Sequence, residues 1–279
     1  MRTNHLEGKV LVVTGAGGGF GRLVCEKAAA LGAKVVGSDL DTARLDEMAA
    51  TIMSTGGTAS GFRADVTDLA QMRALAAHVV HLHGAIDVMI NNAGVMPLAF
   101  FADHAIAAEA WGRCIDINVK GVLHGVIAVY DQMIAQGRGH IVNISSIYGN
   151  FPVVGAAVYG ASKAAVNVLS ESLRVEAQGK IKVTVVKPTG VPGTGLGAGV
   201  INQQAIVGIL GQNAGSYLGR LAAIAGGNPE EGELDPESIR YAALTPNDIA
   251  EQIIYAIAQP WGISIGDITV RAAGDGYIL

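Results

Sequence analysis

One junction near the start of the chain constrains the fold more than any other. The β-branched run Lys9–Val13 leads directly into Thr14-Gly15-Ala16-Gly17-Gly18-Gly19-Phe20-Gly21, and a helical pattern begins within those glycines. A buried strand that ends in a glycine turn and becomes a helix is a phosphate cradle. Glycine lets the backbone turn tightly and approach an anion, and the helix N-terminus offers N–H groups that no carbonyl has claimed. The strict G-x-G-x-x-G spacing is absent. The spacing is G-x-x-x-G-x-G, at Gly15, Gly19 and Gly21.

The same alternation runs on through the chain. Lys34–Ser38, Thr58–Ala64, Ile86–Ile90, His140–Ile144, Ile181–Val186 and Ile268–Val270 read as further strands, most of them apolar throughout. Strands without polar alternation are buried on both faces, as in a parallel sheet. Helical patterns separate them: Gly19–Leu31, Thr42–Ser54, Leu69–His83, Ala108–Gln136, Val158–Gln178 and Pro246–Gln259. Repeated strand–helix–strand units with right-handed crossovers predict an α/β fold. We expect a Rossmann-type doubly wound parallel sheet of about seven strands, order 3-2-1-4-5-6-7, flanked by helices in a single domain over residues 1–279. Thr189–Pro236 departs from this pattern. It is rich in Gly and Ala, carries no strand, and contains a helix near Asn202–Ile224. An insertion after a strand's carboxyl end lies where such sheets bind ligands, so residues 189–236 are expected to form a helical substrate lid.

Composition narrows the function classes. Half of the 279 residues are hydrophobic and only 15% are charged, so the chain can bury a large core. A net charge of −5 argues against a nucleic-acid binder, which needs a basic face. No window reaches about 18 uninterrupted apolar residues, so no membrane partner is expected. The polar segment Met1–Glu7 lacks the apolar core of a signal peptide. The two cysteines, Cys25 and Cys114, sit in apolar helical patterns and read as buried, reduced thiols, which fits a cytoplasmic setting.

The cofactor expectation rests on strand ends. Asp39 closes the second strand, twenty residues past Gly19. A carboxylate there accepts hydrogen bonds from ribose hydroxyls and repels a 2′-phosphate. Leu40 and Asp41 beside it are not basic. NAD(H) is therefore expected rather than NADP(H). Asp65-Val66 closes the third strand and Asn91-Asn92-Ala93-Gly94 the fourth, both beside the same groove.

Ser146 follows the strand His140–Ile144. Tyr159 lies 13 residues later, and Lys163 four after that, on the same helix face. The spacing has a chemical use. A tyrosine near pKa 10 is a poor base at neutral pH, and a neighbouring ammonium favours the phenolate. A lone Y-x-x-x-K means little. Combined with Thr14-Gly15-x-x-x-Gly19-x-Gly21, Asp65, Asn91-Asn92-Ala93-Gly94, Asn118, Ser146 and Tyr159-Gly160-Ala161-Ser162-Lys163, the chain resembles the short-chain dehydrogenase/reductase family over about residues 8–190.

The resemblance implies an NAD-dependent alcohol dehydrogenase or ketone reductase with catalytic residues Asn118, Ser146, Tyr159 and Lys163. Tyr159 would exchange the proton with the substrate oxygen, and Ser146 would hydrogen-bond that oxygen. Lys163 would bind the nicotinamide ribose and lower the Tyr159 pKa. Asn118 would hold a water linking Lys163 to solvent. No metal is required. Cofactor contacts would come from Gly15, Gly18, Gly19, Phe20, Gly21, Asp39, Leu40, Asp65, Val66, Asn92, Ala93, Gly94, Tyr159 and Lys163. After the sixth strand the family has Pro-Gly, whereas this chain reads Lys187-Pro188-Thr189-Gly190-Val191-Pro192-Gly193-Thr194. Val191 and Thr194 are the candidates for the nicotinamide amide. The C-terminal run Arg271-Ala272-Ala273-Gly274-Asp275-Gly276 departs from the family as well.

Substrate contacts are assigned to Ser146, Tyr148 and Tyr159. The candidate walls Val95–Phe101, Tyr148–Val154 and Val191–Leu221 are mostly apolar, and residues 189–219 hold no Lys or Arg. A charged substrate would need a cation nearby. A neutral, hydrophobic secondary alcohol or ketone is expected, with Arg113, Arg138 and Arg220 as the cations whose approach would change that. Two other classes stay open: a non-redox member of the fold, such as an epimerase or dehydratase, and a nucleotide-sensing binding protein. His78, His81 and His83 read as a solvated helix end, Met96 and Trp111 as packing residues, and Glu230–Glu237 as a solvated acidic turn. Family members assemble as homodimers or homotetramers through two long helices, here Ala108–Gln136 and Val158–Gln178.

Overall fold

The computed structural model describes residues 4–278; Met1–Thr3, the start of the polar N-terminal segment, and Leu279 lie outside the described residues. Seven parallel strands form one sheet: β1 (Val10–Thr14), β2 (Lys34–Asp39), β3 (Thr58–Arg63), β4 (Val88–Asn91), β5 (His140–Ile144), β6 (Lys182–Pro188) and β7 (Asp267–Val270). Their order is β3-β2-β1-β4-β5-β6-β7, as expected. The helices are α1 (Gly19–Ala30), α2 (Thr42–Ser54), α3 (Leu69–His83), α4 (His104–Ile115), α5 (Gly121–Ala135), α6 (Ala157–Glu176), α7 (Ala214–Ala225) and α8 (Pro246–Ile257). Among the described residues, no helix is long and apolar enough to cross a membrane.

The continuous apolar strands are explained by burial on both faces. Leu11 and Val13 of β1 join a core built with α1, α2 and α8, through Val24, Leu45, Met48, Ile249 and Ile253. Val10 and Val12 point the other way, into a core with α3 and α5, through Met72, Leu75, Val129 and Met133. Side chains alternate between the faces of a strand, so each apolar residue serves one of two cores. At roughly 25 cal/mol per Å² of apolar surface, this double burial is the main force assembling the sheet.

Two expected elements differ in detail. The single helix Ala108–Gln136 is α4 and α5 joined by a π-helical turn at Asp116–Lys120. A π turn inserts a residue into the helical ladder and re-aims what it carries, here Asn118. In the insertion after β6, the helix Asn202–Ile224 is two 3₁₀ segments, Gln203–Ile209 and Gly211–Asn213, followed by α7. Gly211 takes φ +52°, which breaks the helix where periodicity alone would continue it.

Candidate active site

The site lies at the carboxyl ends of the strands, where β1 has β2 on one side and β4 on the other. Chain direction diverges there and leaves a crevice. Thr14 ties it together: its hydroxyl accepts from Asn92 N (3.0 Å) and Ala93 N (3.2 Å) and donates to the Ile90 carbonyl (3.4 Å). The Asn92 side chain donates to the carbonyls of Thr14 (2.9 Å) and Gly15 (3.2 Å). Asn92 therefore braces the glycine turn from behind. A cleft of about 380 Å³ opens beside it, lined by Gly15, Asp39, Leu40, Asp65, Val66, Ala93 and Gly94, with Arg113 at its edge.

The glycine turn has the form of an anion cradle. Gly15 adopts φ +67°, and a Cβ on Gly21 would stand 2.3 Å from the Gly15 carbonyl oxygen. No side chain caps α1 and its first turn holds no acid. Asp41 caps α2, Asp68 caps α3 and Thr245 caps α8, whereas α1 begins on glycines. Its unclaimed N–H groups suit a phosphate. Gly18 is the N-cap residue, and Thr194 lies against Gly19, its methyl 3.9 Å from where a Gly19 Cβ would be. The Phe20 side chain packs on the core, which leaves its backbone as its part of the cradle. Val191 also packs against that core, so of the two candidates after β6 only Thr194 is shown against the cradle.

Asp39 occupies the end of β2 as expected. Its carboxylate accepts from Gly17 N (3.0 Å) and Asp41 N (3.2 Å), which holds it beside the glycine turn. The sequence reading overlooked Arg44. It follows Asp39 by five residues, yet α2 folds its guanidinium back to within 3.8 Å of a Gly18 Cβ position, paired with Asp41 at 3.3 Å.

The reaction residues converge from α6, the π turn and the end of β5. Tyr159, Lys163 and Ser146 are 3%, 5% and 7% exposed, and Asn118 is fully buried. Ser146 Oγ accepts from Tyr148 N (3.3 Å), which fixes the turn Ile147–Gly149 against α6, and its hydroxyl reaches the Tyr159 phenol. Lys163 Nζ donates to the Ile144 carbonyl (2.9 Å) and lies 5.8 Å from the Tyr159 ring centre. Gly94 closes the cleft over them, with room for a Cβ only 3.3 Å from Asn118 Oδ1 and 3.6 Å from Lys163 Nζ.

Asn118 is held by its own side chain. Its Oδ1 accepts from Val95 N (2.9 Å), while Nδ2 donates to the Val95 carbonyl (3.0 Å) and the Ser162 hydroxyl (3.0 Å). Both amide hydrogens are used, so the side chain clamps the segment after β4 to α6. Burial dominates the electrostatics. Burial raises the Tyr159 phenol above the ordinary tyrosine range, and the Ser146 hydrogen bond only partly opposes it. Burial pushes the Lys163 ammonium down to about 8. In the protein alone, desolvation outweighs the lowering of Tyr159 that its spacing from Lys163 suggests.

A third apolar cluster covers these residues. Leu98, Ile147, Val153, Ala205, Ile209, Leu210 and Tyr217 pack with Tyr159, and Met96, Tyr148 and Tyr277 border them. Tyr148 meets Tyr159 edge-on at 5.5 Å, and burial pushes its own pKa up to about 12. The three arginines stay out of this cluster. Arg113 edges the cofactor cleft, Arg138 lies 5.1 Å over the Trp261 ring, and Arg220 binds Glu233 at 2.7 Å. Glu233 corrects the reading of Glu230–Glu237 as a solvated turn, since it is 1% exposed and also accepts from Glu230 N (2.8 Å). Trp111 donates to the Pro97 carbonyl (3.2 Å), a packing role.

Comparison with known proteins agrees with this geometry. The family model for short chain dehydrogenases matches residues 9–205. An uncharacterized oxidoreductase of Listeria innocua is 32% identical over 265 residues, 95% of this chain and 96% of its own. A short chain dehydrogenase/reductase from Burkholderia phymatum, solved with NAD, aligns with TM-score 0.74 at 31% identity, over 96% of this chain and 90% of its own. A metagenomic short-chain oxidoreductase solved with NADP gives 0.72 at 29%, over 96% and 98%. With its sheet order, its glycine turn and its buried Ser–Tyr–Lys group, this chain belongs to the short-chain dehydrogenase family.

Proposed function

We propose that the protein is an oxidoreductase that moves a hydride between NAD(H) and a neutral, hydrophobic secondary alcohol or ketone. The observation that carries this reading is the joint burial of Ser146, Tyr159 and Lys163, with Lys163 behind Gly94, which lines the same cleft as Gly15 and Asp39. The cofactor would lie along that cleft, with its phosphates on α1 and its adenosine ribose at Asp39. When bound, it supplies the hydride acceptor or donor. The chain supplies the rest. Tyr159 holds the proton exchanged with the substrate oxygen, Ser146 steadies that oxygen, and Lys163 places positive charge beneath both. Burial keeps the Tyr159 phenol protonated at neutral pH, which suits donation to a ketone oxygen.

Asp39 favours NAD over NADP, because a second anion beside its carboxylate is repelled. Related structures hold one or the other, and Arg44 beside Gly18 is the counterweight. Arg138 and Arg220 are engaged by Trp261 and Glu233, which supports a neutral substrate. Residues 189–236 act as a lid in this reading. Ile209, Leu210 and Tyr217 lie over Tyr159, so substrate entry requires them to shift.

Copies of the chain would assemble through α5 and α6, where Leu123, Ile127, Val168 and Val175 are exposed on neighbouring surfaces. A homodimer or homotetramer would cover them.

The test is NADH formation with a panel of neutral secondary alcohols, and NADH consumption with the matching ketones. Turnover of apolar members supports the reading. Turnover of only acyl thioesters or sugar acids, or of nothing, overturns it. A binding protein would retain NADH affinity without turnover.

A further inference from the structure

The C-terminal run departs from the family pattern and ends beside the reaction cluster. Tyr277 is the residue it delivers there. Its ring borders the cluster that contains Tyr159, and its hydroxyl lies against Gly190, where a Cβ would be only 1.6 Å away. Gly190 follows Pro188-Thr189 at the end of β6. The tail brings an aromatic ring, and the strand end has a glycine that leaves room for it. Tyr277 is also near enough to Tyr148 for that phenol to oppose its ionisation.

The tail is bound to the lid along its length. Arg220 of α7 donates to the Gly274 carbonyl (2.8 Å), Asn213 to the Gly276 carbonyl (3.1 Å), and Ile278 N to the Ile209 carbonyl (3.2 Å). The Tyr277 and Tyr217 rings meet at 5.7 Å, and Tyr217 donates to the Ala242 carbonyl (2.9 Å). Arg271 joins Asp275 at 2.7 Å and donates to the Tyr277 carbonyl (3.0 Å). The tyrosine ring is thus positioned by the lid rather than hanging free.

We propose that Tyr277 is a specificity-determining residue whose ring, carried on the C-terminal tail and held by Tyr217, forms with Tyr148 the wall that limits the size of the apolar group on the substrate's carbinol carbon. The proposal rests on the alcohol–ketone reading above. A rigid, uncharged ring admits apolar substituents up to the space it leaves and excludes larger ones by overlap. Its hydroxyl is not required for that task.

The experiment is kcat/KM for a series of neutral secondary alcohols with increasing apolar substituents, for the wild type, Tyr277→Ala, Tyr277→Trp and Tyr277→Phe. NADH titration of each protein checks that the cofactor half is intact. Tyr277→Ala is expected to raise the ratio of large to small substrates about tenfold or more, the scale at which pockets discriminate groups of this size. Tyr277→Trp is expected to lower it, and Tyr277→Phe to keep the wild-type profile. If Tyr277→Ala does not fold, the opposite placement of Trp and Phe still decides. An unchanged size profile in Ala and Trp, whatever the loss of overall rate, overturns the proposal while the alcohol reading stands. A wild type that turns over no alcohol or ketone overturns that reading instead, and the assignment of Tyr277 with it.

Discussion

The two ends of the crevice are built by different means. The cofactor end is made of backbone. Gly15 and Gly21 pack with no side chain between them, α1 begins uncapped, and Thr14 and Asn92 brace the turn from β1 and β4. The proposed substrate end is made of side chains from distant segments: Tyr148 after β5, Ile209 and Tyr217 in the proposed lid, and Tyr277 in the tail. Backbone cradles tolerate little change because no rotamer can relieve a clash. Side-chain walls can be reshaped one residue at a time. A fold can in this way keep one cofactor chemistry while its substrate changes.

Several substitutions press on this difference. The largest effect is expected at the cradle. Gly21→Ala drives a methyl into the Gly15 carbonyl, so NADH affinity should fall by about a hundredfold or more, read by fluorescence titration. Retained affinity would mean that the turn is not the phosphate site. Asp39→Ser removes the carboxylate but leaves Arg44, so preference should move toward NADP by about tenfold, measured as the ratio of kcat/KM for the two cofactors. An unchanged ratio would detach Asp39 from the ribose.

At the other end, Glu233→Gln removes the charge that Arg220 meets. Hydrogen exchange should rise several-fold across 214–225 and 274–278 while 15–30 stays protected. A uniform rise over both halves would show that lid and cradle are one cooperative unit. The smallest effect concerns pH. Lys163 titrates near 8 and Tyr159 above its ordinary value, so both are protonated at neutral pH. In the proposed ketone reduction Tyr159 gives the one proton consumed and Lys163 contributes its charge. The kcat/KM of that reduction should be flat up to about pH 7, fall to half near pH 8 and decline further as Lys163 loses its charge. A decline that begins near pH 6 would place the controlling group elsewhere.

The same contrast governs what could be read without coordinates. The strands and the cradle were legible because they follow from local signals: β-branched runs, glycines and the carboxylate at a strand end. The gathering of Ser146, Tyr159 and Lys163 followed from the family pattern. The rest depends on tertiary contact. The π turn carries Asn118 into hydrogen bonds with Val95 and Ser162, contacts that periodicity does not register. The break in the lid helix at Gly211 was visible only as one more glycine. Glu233 looked like its acidic neighbours, and only the approach of Arg220 from α7 buries it. Arg44 is carried to the glycine turn by the return of α2. Tyr277 lies 118 residues beyond Tyr159, and no local pattern joins them.

The central claim is that Tyr159 is the acid/base of a nicotinamide-dependent reaction. It is tested most directly by Tyr159→Phe, which removes one oxygen from a buried ring and leaves its packing in place. Turnover of an alcohol accepted by the wild type and NADH affinity should be measured on the same preparation. The account predicts a loss of kcat of about a thousandfold or more, within the range for general acid–base catalysis, with NADH affinity changed by less than about threefold. A Tyr159→Phe protein that still turns over its alcohol at a rate near the wild type would contradict it.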